Sequence, residues 1–316
     1  MMRTRRTAFF FSSLLRSALF SISRKNSNIA RYFLFFWVVY FSSVTWLAAL
    51  DPTRQISQYG HTAWRVQDGT VDVVGSITQT ADGYLWLATS NGLLRFDGVK
   101  FVPYASPGLD LPTHGLMFLL GARDGSLWIA LTNGLLRLKD GRLQSYTEQN
   151  AGSGILDLLE DDEGTIWFTR YHVPPGKGGP LCRVEGDGLH CFGKADGIPV
   201  TYGEGLTKDK SGNLWFGSEV LCRWRPGSAS TYLNYLPNHT GKVEGVIDVA
   251  AGASGEVWAT IDGVGPDLGI RHFSNGKWTP YIIPGLDGTK VLSSALFVDR
   301  NQSLWIGTEK NVAATP

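Results

Sequence analysis

Cysteine is almost missing from these 316 residues: Cys182, Cys191 and Cys222 are all there is, and their spacing fits no metal-ligand pattern. Also missing are His-Glu-x-x-His, Gly-x-Ser-x-Gly and the Gly-rich phosphate loop ending in Lys-Ser/Thr. Their absence leaves no signal for zinc peptidase, α/β-hydrolase or nucleotide-hydrolysing chemistry. The six histidines, His61, His114, His172, His190, His239 and His272, show no metal spacing either, so no metal and no cofactor is expected. Acid is absent from the first fifty residues, which hold seven Lys and Arg. Residues 51–316 therefore carry 22 basic against 28 acidic groups, a net of −6. A body of that sign lacks the basic stripe that nucleic-acid binding needs. Nor does a low-complexity linker divide it, so residues 51–316 are expected to form one domain.

Charge is likewise absent from Tyr32–Leu50, YFLFFWVVYFSSVTWLAAL, nineteen residues and long enough to cross a bilayer. The seven Lys and Arg of the first fifty residues all precede this run, which places residues 1–50 as a cytoplasmic basic head plus membrane segment, with residue 51 onward outside. The segment is either a retained anchor in the cytoplasmic membrane or a cleaved signal peptide. Cleavage after Ala48 or Ala49 puts Trp46 or Leu47 at the −3 position, where a small residue is usual. Both readings export the body to the periplasm.

What the body does have is a repeat. Ile77–Phe101, ITQTADGYLWLATSNGLLRFDGVKF, reads as short strands separated by Asp82-Gly83, Asn91-Gly92 and Asp97-Gly98 turns. Aligned on the tryptophan of YLWLAT, the chain falls into register at Trp86, Trp128, Trp167, Trp215, Trp258 and Trp305, with gaps of 42, 39, 48, 43 and 47 residues. Three places before the tryptophan stands glycine, except at Gln302, and two places after it a small residue. Four short strands (A to D) at such a period are the signature of an all-β fold, the β-propeller. Five complete four-stranded blades and a partial sixth are expected. Gln55–Arg65 would add a peripheral strand, and Val312–Pro316 would stop short of strand C of the sixth blade.

Two insertions break the regularity: Arg170–Pro180 and Asp262–Gly269 replace the short B–C turns of blades three and five. With strand A running up and B down, B–C turns and D-to-A crossovers share one rim, and irregular loops on a regular scaffold are where binding concentrates. That rim gathers His114, Tyr171, His172, Lys177, Tyr202, Glu204, Glu244 and Asp262, the candidate ligand-binding residues, with no catalytic residue among them. The strand-B tryptophans, by their strict period, are expected in the core rather than as sugar platforms. Asp161-Asp162-Glu163-Gly164 and Asp209–Asn213 resemble calcium loops but lack the full ligand series; turn geometry alone accounts for them. In the hairpin LCRVEGDGLHCF, a two-residue turn at Gly186-Asp187 sets Cys182 opposite Cys191 and permits a disulfide, whereas a turn at Asp187-Gly188 does not.

DGYLWLATSNGLLRFDG (Asp82–Gly98), DGSLWIALTNGLLRLKDG (Asp124–Gly141) and SGNLWFGS (Ser211–Ser218) resemble the two-component regulator propeller repeats in the exported sensor regions of bacterial hybrid histidine kinases. The lead-in LDPTRQISQYGHTAWRVQDG (Leu50–Gly69) is similar to the usual start of such regions. The resemblance implies a periplasmic module that senses a small molecule or a periplasmic protein and signals through a cytoplasmic transmitter. No phospho-acceptor helix or ATP-binding box follows residue 310, so the sensor looks truncated and no enzyme activity is expected within these residues. The other reading is a metal-dependent propeller lyase resembling the streptogramin lyases, whose repeats carry a Gly-x-x-Trp pattern like that of EGTIWFTR (Glu163–Arg170).

Overall fold

The computed structural model describes Trp64 and residues 73–316, apart from 106–110, 112–114, 147–153, 172, 174–177, 199, 228–230, 234–244, 292, 309–311 and 316. These residues belong to one compact unit, Thr53–Pro316. Five four-stranded antiparallel sheets follow one another along the chain, each with its strands in sequence order. Blade one is Val74–Gln79, Leu85–Thr89, Gly92–Phe96 and Phe101–Pro103, and blade two is Leu116–Gly121, Leu127–Leu131, Gly134–Lys139 and Arg142–Tyr146. Blade three is Ile155–Glu160, Ile166–Arg170, Leu181–Glu185 and Gly188–Phe192. Blade four is Glu204–Lys208, Leu214–Gly217, Leu221–Trp224 and Thr231–Leu233; blade five is Val246–Ala251, Val257–Ile261, Gly269–Ser274 and Lys277–Pro280.

The sixth sheet corrects the expectation. Val312–Thr315 pairs with Leu304–Thr308 as a third strand, Trp305 opposite Ala314. Strand pairing needs only backbone donors and acceptors, and a run without Gly or Pro satisfies the edge even where the Gly-Leu signature is missing. The expected peripheral strand Gln55–Arg65 lies outside the described residues except for Trp64, whose ring stands edge-on to Phe96 and Phe101 at 5.2 and 5.4 Å.

The blades pack through the two faces of strand B. Trp86 and Ala88 meet Leu127, Ile129 and Leu131 of the next blade, and Trp128 and Ala130 meet Ile166 and Phe168. Trp215 meets Val257, Ala259 and Ile261. The small residue two places after the tryptophan leaves room for the neighbour's branched or aromatic side chain, a large-to-small fit between twisted sheets. Trp215 is 1% exposed and Trp128 4%, which places these rings in the core and leaves no face for a sugar.

One turn is built six times at the A–B corner. The residue six before the tryptophan donates its amide to the carbonyl four places on, and its own carbonyl accepts from the residue three on, as in Asp209 N to Asn213 O and Gly212 N to Asp209 O, both 2.9 Å. That third residue sits at positive φ, 81° for Gly212, a region where only glycine is unstrained. Gln302 adopts it at 67°, and its side chain is held by accepting the Ala253 amide of blade five at 2.7 Å.

The calcium-like segments are versions of this turn. Asp161 Oδ1 accepts the Glu163 and Thr165 amides, and Oδ2 accepts the Trp167 indole N–H at 2.8 Å. Asp209 does the same for Ser211, Asn213 and Trp215. Burial raises the pKa of both carboxyls, but the indole and amide donors outweigh it and leave them below the usual range.

Candidate functional site

Strand A of each blade lines a central channel of about 670 Å³, from Gly75 and Phe118 round to Phe297 and Val298. Every strand A carries a register shift in its first half, a bulge that leaves backbone amides without a ladder partner. The residue ten before the tryptophan satisfies them across every second blade junction. Ser76 Oγ accepts the Leu119 amide at 3.0 Å, Asp157 Oδ2 that of Leu206 at 2.6 Å, and Asp248 Oδ2 that of Leu296 at 2.6 Å. At the intervening junction of blades four and five, Gly205 lets the strands approach, since a Cβ there would stand 2.6 Å from both Asp248 Cα and Oδ1.

Asp157 and Asp248 are thus two half-buried carboxylates inside one channel. Burial pushes Asp157 up to about 6 against the pull of the Leu206 and Leu158 amides. Burial and the charge of Asp157 push Asp248 up to about 7. Sequence reading passed over both, although the alternation Ser76, Phe118, Asp157, Gly205, Asp248, Ala295 at a fixed offset from the tryptophan was there to be seen.

On the rim above, B–C turn residues bond to the lead-in of strand A, as in Tyr171 N to Gly154 O at 2.9 Å and Asp262 N to Gly245 O at 3.0 Å. Loops and crossovers therefore share this rim. Of the eight candidate residues, His114, His172, Lys177 and Glu244 lie outside the described residues. The other four come together from blades three, four and five. The Tyr171 and Tyr202 rings are 5.9 Å apart. Burial first, then the charges of Glu219 and Glu204, push the Tyr202 phenol up to about 12, while a hydrogen bond with Ser218 opposes the rise. Burial and the nearby Asp262 raise Glu204.

The two ends of the blade-three insertion are tied together. The buried Arg170 guanidinium donates from Nε and Nη2 to Gly179 O at 3.2 and 2.7 Å. Cys182 and Cys191 face each other across the hairpin, with Glu185 opposite Gly188 around a Gly186-Asp187 turn, and are joined by a disulfide. Cys222 is a buried free thiol, pushed up to about 12 by burial and Glu219.

Among the described residues no cluster of three or more His, Cys, Asp and Glu is arranged to hold a metal. The two described histidines, His190 and His272, sit on outer strands away from the channel, His272 stacked on Trp258 at 5.1 Å. No described helix is long and apolar enough to cross a membrane.

The opposite rim, that of the A–B turns, holds a cavity of about 360 Å³ between blades two and three, lined by Ala122, Trp128, Arg137, Tyr146 and Ile166 among others.

No family model and no curated protein sequence matches the chain. Solved structures do. Virginiamycin B lyase from Staphylococcus aureus superposes with a TM-score of 0.57 at 19% identity, over 77% of this chain and 84% of that one. The extracellular domain of BT3049 from B. thetaiotaomicron, assigned as a hybrid two component system, gives 0.61 at 17% identity over 77% and 32%. PorZ, a surface component of the type-IX secretion system of Porphyromonas gingivalis, gives 0.55 at 15% over 77% and 38%. The chain thus spans most of the lyase and about a third of the sensor domain. At these identities the likeness is one of fold, the β-propeller, shared by sensor domains and lyases alike.

Proposed function

We propose that this chain is the extracytoplasmic ligand-sensing propeller of a two-component signalling system, binding a small ligand at the mouth of its channel on the insertion rim. The observation that carries the reading is the meeting of Tyr171, Tyr202, Glu204 and Asp262 from three different blades. Two phenol rings beside carboxylates suit a ligand with a cationic or hydroxyl-bearing head, since the rings and the charges attract the same partner. The uncharged run Tyr32–Leu50 behind a basic head supports export, and a disulfide suits an oxidising compartment. Fold likeness to an extracellular sensor domain agrees with both. The lyase shares the fold.

Two experiments test the reading. A reporter enzyme active only after export, fused after Pro316, is expected to be active, and activity of a cytoplasm-only reporter there contradicts the location. A thermal-shift screen of amines, amino acids and sugars should yield a stabilising ligand whose effect disappears in Tyr171→Ala/Tyr202→Ala and survives in Lys210→Ala, on the opposite rim. Loss in Lys210→Ala with retention in the tyrosine variant would move the site to the turns.

A further inference from the structure

Four strand-B tryptophans hand their indole N–H to the residue six places earlier: Trp86 to Thr80, Trp167 to Asp161 and Trp215 to Asp209 at 2.8 Å, and Trp305 to Asp299 at 2.9 Å. In blade two that residue is Ala122, and no acceptor takes its place among the described residues. The turn itself is unchanged, since Ala122 N still donates to Ser126 O at 2.8 Å. In blade five the same position is Gly252, and there the space is closed: a Cβ would stand 2.9 Å from Glu256 Oε2 and 3.1 Å from the Trp258 ring. In blade two the space stays open, as the cavity of about 360 Å³ that Ala122 and Trp128 line.

Arg137 completes the pattern. Its guanidinium lies over the Trp128 ring at 5.4 Å and pairs through Nη2 with Asp124 Oδ2 at 2.5 Å, while its buried Nε has no hydrogen-bond partner. Blade four supplies the template for what is missing. There Asp209 Oδ2 accepts the Trp215 indole, and Arg223 Nε, itself without a hydrogen-bond partner, lies 4.0 Å from the same oxygen as an ion-pair neighbour.

We propose that the blade-two cavity binds the carboxylate of a small organic acid, seated where Asp209 stands in blade four, accepting from the Trp128 indole and facing Arg137 Nε. The tail of a few carbons lies along Ile166, Val184 and Tyr146. A sugar fits less well, because Arg137 covers the face on which it would stack. The carboxylates of the wall do not repel the ligand as free charges would. Asp124 is paired with Arg137 and Lys139, Glu160 with Arg123 and Glu163 with Lys208. The buried Arg137 Nε–H has no acceptor, which costs about 1–3 kcal/mol, and a ligand oxygen recovers it. A cavity of this size is at the small end for ligand sites, too small for a macromolecular partner.

The test is a titration of the full chain, labelled with nitrogen-15 at the tryptophan indoles, with sodium butyrate at constant ionic strength and sodium sulfate as the control. A saturable shift of the Trp128 indole signal, with the Trp215 signal still, is expected. Ala122→Asp supplies the missing carboxylate from within and Arg137→Gln removes the facing charge; each should weaken butyrate at least about tenfold. Tyr171→Ala/Tyr202→Ala should leave it unchanged, so this site and the channel mouth stand or fall separately. The proposal is overturned by no saturable shift, by an equal response to sulfate, or by undiminished affinity in Arg137→Gln, which serves alone should Ala122→Asp not fold.

Discussion

Blade four and blade two are copies of one design that differ at its corner. In blade four Asp209 ties together two turn amides, the Asn213 side chain and the Trp215 indole, and Trp215 is 1% exposed. In blade two the corner residue is Ala122, and the turn is held instead by Asp124, which accepts from the Ser126 amide at 2.9 Å and its hydroxyl at 2.5 Å. The strands and the guanidinium over the tryptophan are otherwise alike, Arg137 at 5.4 Å from Trp128 and Arg223 at 5.3 Å from Trp215. The difference teaches that the tryptophan and the turn are separable. Packing alone holds Trp128, while packing and a charged hydrogen bond hold Trp215, and one missing carboxylate turns a structural corner into a cavity.

The largest effect that sharpens this contrast is loss of the rings themselves. Trp215→Ala and Trp128→Ala should each destabilise by about 3–5 kcal/mol in urea unfolding, the former more, because it also strands the Asp209 carboxylate. Equal midpoints for wild type and Trp128→Ala would break the account of the core. Next comes exchange of the corners. Asp209→Ala should cost about 1–3 kcal/mol, leaving a buried indole N–H and turn amides unsatisfied, while Ala122→Asp should stabilise by about 0.5–1.5 kcal/mol. A destabilising Ala122→Asp would mean that the two corners are not equivalent.

A smaller effect contrasts the corner carboxylates with those of the channel. Asp161, Asp209 and Asp299 lie below their ordinary value, so they contribute stability above it that is lost as pH falls towards and below the usual aspartate range. Asp157 and Asp248 are raised to about 6 and 7. The folded state therefore holds more protons than the unfolded between the ordinary value of 3.8 and about 7, and stability declines as pH rises through that window. Most of the loss should fall between about pH 5 and pH 8. Asp157→Asn/Asp248→Asn should flatten the slope, and a slope of the same size in that variant would remove the channel pair as its cause.

The period of the tryptophans, the turn glycines and the two insertions made five blades and their rims legible in the sequence, because side-chain alternation and turn chemistry act over a few neighbouring residues. What escaped notice depends on meetings across blades. Asp157 and Asp248 earn meaning only from the bulge in the neighbouring strand A. The arginines over the rings, Arg95, Arg137, Arg183 and Arg223, fall at unequal distances from their tryptophans because the B–C turns differ in length. The third strand of blade six had no Gly-Leu mark to announce it. At the channel mouth, Tyr171, Tyr202, Glu204 and Asp262 were reached from strand polarity alone, which fixes the rim of a loop without fixing its side chains.

Hydrogen exchange of the tryptophan indoles in the wild-type chain tests the contrast between the corners most directly. The Trp167 and Trp215 N–H groups, each bonded to a carboxylate in the core, should exchange slowly, and the Trp128 N–H, beside its open cavity, much faster. Protection of Trp128 equal to that of Trp215 would contradict the account.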